Sequence, residues 1–520
     1  MPFSMRLLAA LSVTVLLTYI STNAAYGAGI IGNGSSGSCT DAALNAALNG
    51  GGSVTFKCGS AAKTILISSE KTISANTVID GGNLITISGG NSKRLFNVKP
   101  GIRFTVSNLT LADAYTVGQG AAIHGGSFQN TILTVNHCTF INNVSSQLGE
   151  TGGGAIYSAA GYLTVDKSTF TGNKASTGGA IRNLHSNLTV TASTFTNNKA
   201  VDPILGDGGA IHIDGAKNDN GKVIIRGSTF KGNNASNYGG AIFNNILNNN
   251  TTTITDSLFS SNSVGLGGKN GQGGAIWSTG DPKQGGQWVI NANNTTLILV
   301  NTSLVGNTAS QQGGGIWIAR HPKGTIISRS TISSNTSVNS MGGGIVQADS
   351  GKLSILNSTI SDNKSNGTYS MGAGVYVGRN AKATVINATI ADNVANWQAG
   401  GIFGGLNVTL KNTILSNNIA KNGGNAWDIK HNCFEPMTNA GDNLQFPDPK
   451  DKECTPGILL ADPKLELLKN NGGLTMTRAL SLGSAASQNG SGCPATDQRG
   501  ATRPKPAGTY CDIGAFEAAF

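Results

Sequence analysis

One short phrase returns nine times between residues 120 and 425, and this recurrence restricts the fold more than any other feature of the chain. It is a glycine-rich step into an apolar pair: GGGAIY at 152–157, then GGAIRN, GGAIHI, GGAIFN, GGAIWS, GGGIWI, GGGIVQ, GAGVYV and AGGIFG. A second phrase alternates with it: STFTGN at 168–173, then STFTNN, STFKGN, SLFSSN, TSLVGN, STISSN, STISDN, ATIADN and NTILSN. Spacings run mostly from 24 to 35 residues. Self-similarity of this period marks a stacked-repeat architecture, which grows along one axis without widening its core. The usual expectation of several globular domains for 520 residues therefore does not apply.

A typical unit, Gly178 to Ala200, reads as apolar step, turn, strand and turn. Alternation in NLTVTAS turns Leu188 and Val190 inward and the threonines outward. Stacking the units predicts an inward column of Phe140, Phe170, Phe195, Phe230 and Phe259, continued by Leu304, Ile332, Ile360, Ile390 and Ile414. An asparagine follows each: Asn143, Asn173, Asn198, Asn233, Asn262, Asn307, Asn335, Asn363, Asn393 and Asn417. Asn tolerates a left-handed bend, and stacked amides can bond from coil to coil, so these residues predict a sharp turn carrying a ladder. The fold expected is all-β: a single-stranded right-handed parallel β-helix of about ten to fourteen coils, rising ~4.8 Å per coil. The organisation expected is a signal peptide at 1–28, an N-terminal cap and first coils at 29–119, the repetitive helix at 120–425, and a C-terminal loop and cap at 426–520.

The ends carry their own signals. Arg6 precedes an apolar run from Leu7 to Ile20, with small residues at Ala24, Ala25 and Ala28, the pattern of a secretory leader. The apolar run is short for a membrane span, and no other segment approaches one. Thr40 caps a predicted helix over Asp41–Leu48, suited to cover the open first coil. Six cysteines fall in local pairs that are disulfide candidates: Cys39 with Cys58, Cys433 with Cys454, and Cys493 with Cys511. Cys138 stands where later phrases begin with Ser or Thr and reads as a buried substitution. At the tail, Asp497 and Arg499 can pair, Arg503 can bond carbonyls, and Ile513 and Phe516 are expected to cover the last coil.

The charge of +10 reflects few acids, and only 12% of residues are charged. No dense basic tract or aromatic–basic interleaving is present, which sets nucleic acid aside as a partner.

The repeat pattern resembles the pectin-lyase-like superfamily of right-handed parallel β-helices. The GGAI and STFxxN phrases resemble repeats of polymorphic outer-membrane proteins. Residues 496–504 (TDQRGATRP) and 511–517 (CDIGAFE) resemble the ending of choice-of-anchor Q domain-containing proteins. These resemblances imply export and a surface-associated role, and they name no reaction. Lyases on this fold use an Arg or Lys base beside carboxylates that hold Ca²⁺ against an acidic sugar, so Ca²⁺ is expected only if the chain is such a lyase; otherwise no cofactor or metal is expected.

Chemistry is best sought where the phrases are interrupted, between about 200 and 290. There His212 and Asp214 share a strand face by alternation, with Asp207 before them and Arg226 in the next strand. These four are the catalytic candidates, although His124 occupies the same place in an earlier phrase without a carboxylate two residues on. Trp277, Trp288, Trp317, Tyr376 and Trp397 are the binding candidates; several follow the inward Ile, which turns them outward as sugar-stacking surfaces. The preferred reading is an exported, monomeric, non-catalytic β-helix binding a polysaccharide, matrix or cell-surface partner. The alternative is a polysaccharide lyase or glycosidase working in a groove on the helix wall.

Overall fold

The computed structural model describes residues 29–519 apart from 127–128, 266–269, 281–282, 285–286, 289–293, 448–452 and 509. The expected leader at 1–28 and the side chain of Trp288 lie outside the described residues.

The chain is a parallel β-solenoid of about 14 turns. One coil shows how the sequence builds it. Asn187–Thr191 and Thr194–Thr196 form the first wall, Lys199–Ala200 the second, and Ile211–Asp214 the third, before Lys222–Arg226 begins the next turn. Each wall is a parallel sheet of 28, 11 or 12 strands. Register is held residue on residue, as in Thr194↔Thr229, Phe195↔Phe230 and Thr196↔Lys231. The five inward phenylalanines stack nearly coplanar, with centroids 4.6–4.8 Å apart. Leu304, Ile332 and Ile360 continue the column.

The asparagine ladder is present and fully buried. Asn198 Nδ2 donates to Asn233 Oδ1 at 3.0 Å and to the Phe170 carbonyl at 3.0 Å, while Asn233 Oδ1 also accepts from the Asn198 backbone N–H. Two details differ from the sequence reading. The left-handed residue is the one before each ladder Asn, for example Asn142, Gly172, Asn197 and Gly232, with φ of 54–65°. The bend and the amide ladder are thus divided between neighbours. The last phrase is also displaced by one: Leu415 rather than Ile414 pairs with Ile390, and Asn418 rather than Asn417 receives Asn393. Asn417 takes the left-handed place (φ 52°), which frees Ile414 to point outward.

A second ladder, of hydroxyls, runs along the first corner. The backbone N–H of each of Cys138, Ser168, Ser193 and Ser228 donates to the Ser Oγ of the coil above, at 3.0–3.2 Å. Cys138 begins this ladder as a buried free thiol, and burial pushes its pKa up to about 12.

Helix α1 (Asp41–Leu48) closes the first coil as expected, with Thr40 Oγ1 accepting from Ala43 N at 3.2 Å and Leu44 buried. Asp41 also pairs with the buried Lys71 at 2.5 Å. At the other end coils continue past residue 425 through the short strands Thr438–Asn439, Leu444–Phe446 and Leu459–Leu460. The Cys433–Cys454 disulfide, Met437 and Ile458 join the main core there. Cys39–Cys58 and Cys493–Cys511 are also formed.

The described residues of 462–519 lie along the outside of the first wall as a strap, from Arg329 to Asp442, and Ile513 and Phe516 pack there with Leu444 and Phe446 of one of the last strands. Thr475 Oγ1 donates to the Arg329 carbonyl, Asn357 Nδ2 to Thr496 O, and Ala515 N to Thr389 Oγ1. Ile513 packs with the outward Ile414 and with Leu444 in a small satellite cluster. The strap changes what alternation alone dictates: the outward hydroxyls of Thr331–Ser333, Thr359–Ser361 and Thr389 are buried, whereas Thr169, Thr171, Thr194 and Thr196 on earlier coils are half-buried. The expected Asp497–Arg499 pair forms at 2.7 Å, and Arg503 donates to the Asp512 and Gly514 carbonyls.

Candidate functional site on the third wall

The residue after each inward Ile or Val forms one outward column up the third wall. It reads His124, Tyr157, Arg182, His212, Phe243, Trp277, Trp317, Val346, Tyr376 and Phe403. Five positions earlier, at the glycine turn, a second tier folds over it. Arg182 Nη1 donates to Thr177 Oγ1 (2.7 Å), Trp277 Nε1 to Gln272 Oε1 (3.2 Å) and Trp317 Nε1 to Gln312 Oε1 (3.1 Å). The turn itself requires glycine. Gly208 has φ +67°, and a Cβ on Gly209 would lie 2.1 Å from the Gly240 carbonyl of the coil above.

This tier corrects the expectation of solvent-facing side chains. Trp277 points outward yet is only 4% exposed, with Phe243 stacked on one side at 4.6 Å and Trp317 on the other at 5.1 Å. Tyr238, from the turn tier, stacks on it as well at 5.2 Å. Both faces of Trp277 are occupied by protein, so no ring face is left for a sugar.

The catalytic candidates divide. His212 and Asp214 share the third wall, and Asp207 sits in the turn tier above His212. Arg226 is not with them; it lies exposed on the first wall between Thr191 and Thr255. The basic member of the group is Arg182, one coil below His212 in the same column and 4% exposed. Reading the column position across phrases, rather than along one strand, would have found it. Burial dominates the electrostatics. It lowers His212 well below the ordinary imidazole value, reinforced by the Arg182 charge, and raises Asp214. It pushes Asp207 up to about 7, although Asn237 Nδ2 and Tyr238 N donate to its carboxylate at 3.1 and 3.0 Å. His124 falls to about 4 by burial and the Arg94 charge.

The loop at 201–206, between the second and third walls, is held by one carboxylate. Asp202 accepts from Ile204 N and Leu205 N within its own loop, and from Gly149 N of the loop two coils below, at 2.7–2.9 Å. Arg182 Nε and His212 Nδ1 are enclosed and lack a protein partner. Among the described residues, no group of three His, Cys, Asp or Glu side chains is placed to hold a metal ion.

Rings become accessible toward the C-terminal end of the column. Tyr369 is 73% exposed and meets Trp397 edge-on (5.6 Å, 86°); Trp397 and Phe403 are tilted against Phe434 at 6.5 and 5.5 Å. Tyr376, Trp397, Phe403 and Phe434 are each half-buried. Lys430 Nζ lies 4.4 Å above the Phe434 ring. Tyr376 and Trp397 were singled out by sequence; Tyr369, Phe403 and Phe434 were not, because they come from a turn, the column and the closing loop.

The Chlamydia polymorphic membrane protein repeat matches residues 137–159, 167–183 and 192–214, the coils that carry Phe140, Phe170 and Phe195. No curated protein matches the chain. Among solved structures, the chain is similar to the pectate lyase Pel9A, at 14% identity over 81% of this chain and 88% of that one, with a TM-score of 0.38. It is also similar to the periplasmic alginate epimerase AlgG, at 11% identity over 72% and 76%, with a TM-score of 0.33. Among the described residues no helix is long and apolar enough to cross a membrane.

Proposed function

We propose that this chain is an exported, non-catalytic β-helix that binds a polysaccharide through the aromatic group at Tyr369, Tyr376, Trp397, Phe403 and Phe434. The observation that carries the reading is the opening of the rings around Trp397. Coplanar stacks use up the faces of Phe243 and Trp277, and Tyr376 and Phe403 still stack coplanar at 4.9 Å, whereas Trp397 makes only edge-on and tilted ring contacts beside the exposed Tyr369. Sugar C–H faces pack on such open rings, and a nearby ammonium such as Lys430 adds a donor for sugar oxygens. Three disulfides and the leader-like first residues support export to an oxidising compartment.

The test is binding of the purified chain to a panel of neutral and acidic polysaccharides, with and without Ca²⁺, beside Trp397→Ala. Saturable binding lost in the variant, without turnover, is the expected result; equal binding by both chains would refute the site.

A second reading, lyase or glycosidase action at Asp207, His212, Asp214 and Arg182, rests on the grouping of these side chains along the third wall and its turn. A carboxyl near 7, as at Asp207, is in the range a general acid needs at neutral pH. Unsaturated or new reducing-end products from the same panel, abolished in Asp207→Asn, would establish it.

A further inference from the structure

We infer that the Cys493–Cys511 disulfide is a releasable clasp: a dithiol reductant opens it selectively, and the strap around it then leaves the first wall while the coils stay folded. Three observations carry this.

The first is access. Cys493 and Cys511 line a surface cavity of about 340 Å³ with Gly490, Gly492, Pro504 and Tyr510, and Cys493 is half-buried. Cys39, Cys58, Cys433 and Cys454 instead belong to the main hydrophobic core, at 0–7% exposure. Cys511 is itself 5% exposed, so the cavity and its half-buried partner, not its own exposure, distinguish it from Cys433.

The second is the chemistry at sulfur. Asn387 Nδ2 and Asn412 Nδ2 both donate to Cys493 Sγ at 3.3 Å. Such donors stabilise a thiolate, which makes Cys493 a good leaving group. A reductant thiolate forms its bond to the more accessible Cys493 Sγ as the S–S bond breaks and Cys511 departs as thiolate. The second thiol of the reductant then displaces Cys493, whose thiolate the two amides stabilise, leaving two cysteine thiols and an oxidised dithiol, with protons returned from water.

The third is what holds the strap. Beyond Leu459–Leu460 the described residues form only isolated bridges, and the cluster beneath the tail has six buried members: Ile414, Leu444, Leu480, Ala486, Ile513 and Ala518. Arg478, Gln498 and Thr475 also bond the strap to the first wall, but with so little core the fold that presents them depends on its staple, whereas the coils are held by continuous ladders. Asn387 and Asn412 also donate to the strap carbonyls of Gly514 and Ser491, so loosening the clasp weakens the dock at the same residues.

The full chain would be titrated with dithiothreitol, alkylated and mapped by mass spectrometry, with amide exchange followed in parallel. Cys493 and Cys511 should be alkylated first, and amides of 486–519 should lose at least tenfold protection while those of 170–262 keep theirs. The Cys493→Ser, Cys511→Ser double variant should show the same pattern without reductant. Joint reduction of all three disulfides, or a strap that keeps its protection once the bond is cut, overturns the inference. Should the variant fail to fold, the stepwise titration of the natural chain decides alone.

Discussion

Asn198 and Asn233, 35 residues apart in sequence, share two hydrogen bonds in the interior: the amide of Asn198 and its backbone N–H both end on Asn233 Oδ1, at 3.0 Å. Asn233 then repeats the arrangement with Asn262. No link in this series can be removed without leaving its neighbours buried and unpaired.

Replacing Asn233 by Ala should therefore cost more than an ordinary polar truncation. It strips partners from the Asn198 amide, the Asn198 N–H and the Phe195 carbonyl, so a loss of about 3–5 kcal/mol is expected in denaturant melts. A loss below about 1 kcal/mol would mean that water replaces the amide.

Asp207 makes stability depend on pH. Its carboxyl is raised from 3.8 to about 7, so the folded chain keeps a proton that the unfolded chain has released. Its contribution to stability therefore declines as pH rises from about 4 to about 7, and is least favourable above that. Asp207→Asn should melt like the natural chain near pH 4 and roughly 2–5 °C higher above pH 7. A pH-independent difference would show that Arg182 compensates the ionised carboxylate.

Arg478 ties the strap to two coils, reaching Asp362 at 2.9 Å and Asp392 at 2.7 Å. Its side chain is buried, but both carboxylates are about a third exposed, so solvent screening tempers the pair. Arg478→Ala should cost about 1–2 kcal/mol and show first as faster proteolysis within 462–519. Unchanged cleavage there would assign the docking to Gln498 and the tail cluster.

The two tryptophans should separate stability from binding. Trp277→Ala opens a cavity between Phe243 and Trp317 and is expected to cost about 3 kcal/mol while leaving polysaccharide binding intact. Trp397→Ala should do the reverse, losing binding with a smaller change in melting temperature. Loss of binding in both would place the ligand along the whole column.

The phrases made the solenoid, its inward columns and its ladders legible, because each coil repeats the same local solution and ten copies fix the register. Three things exceeded that logic. Alternation tells whether Trp277 points in or out, but not that Gln272 and Tyr238, brought over it by the turn, will cover it. Nor does any local pattern place the strap against Arg329 and Asn357, since those contacts span about 140 residues. Arg182 was hidden differently: it lies in the same phrase as the other column residues, but its partners belong to other coils.

The left-handed residue and the buried Asn that follows it act as an index mark on each turn. Successive marks lie as few as 25 residues apart, at Asn173 and Asn198, and as many as 45 apart, at Asn262 and Asn307, yet they meet at the same 2.9 Å. Chain length between marks is thus decoupled from the rise per turn. Loops can lengthen, shorten or be exchanged on the third wall without changing where any other coil sits, so the scaffold can acquire new surface while its axis stays unchanged.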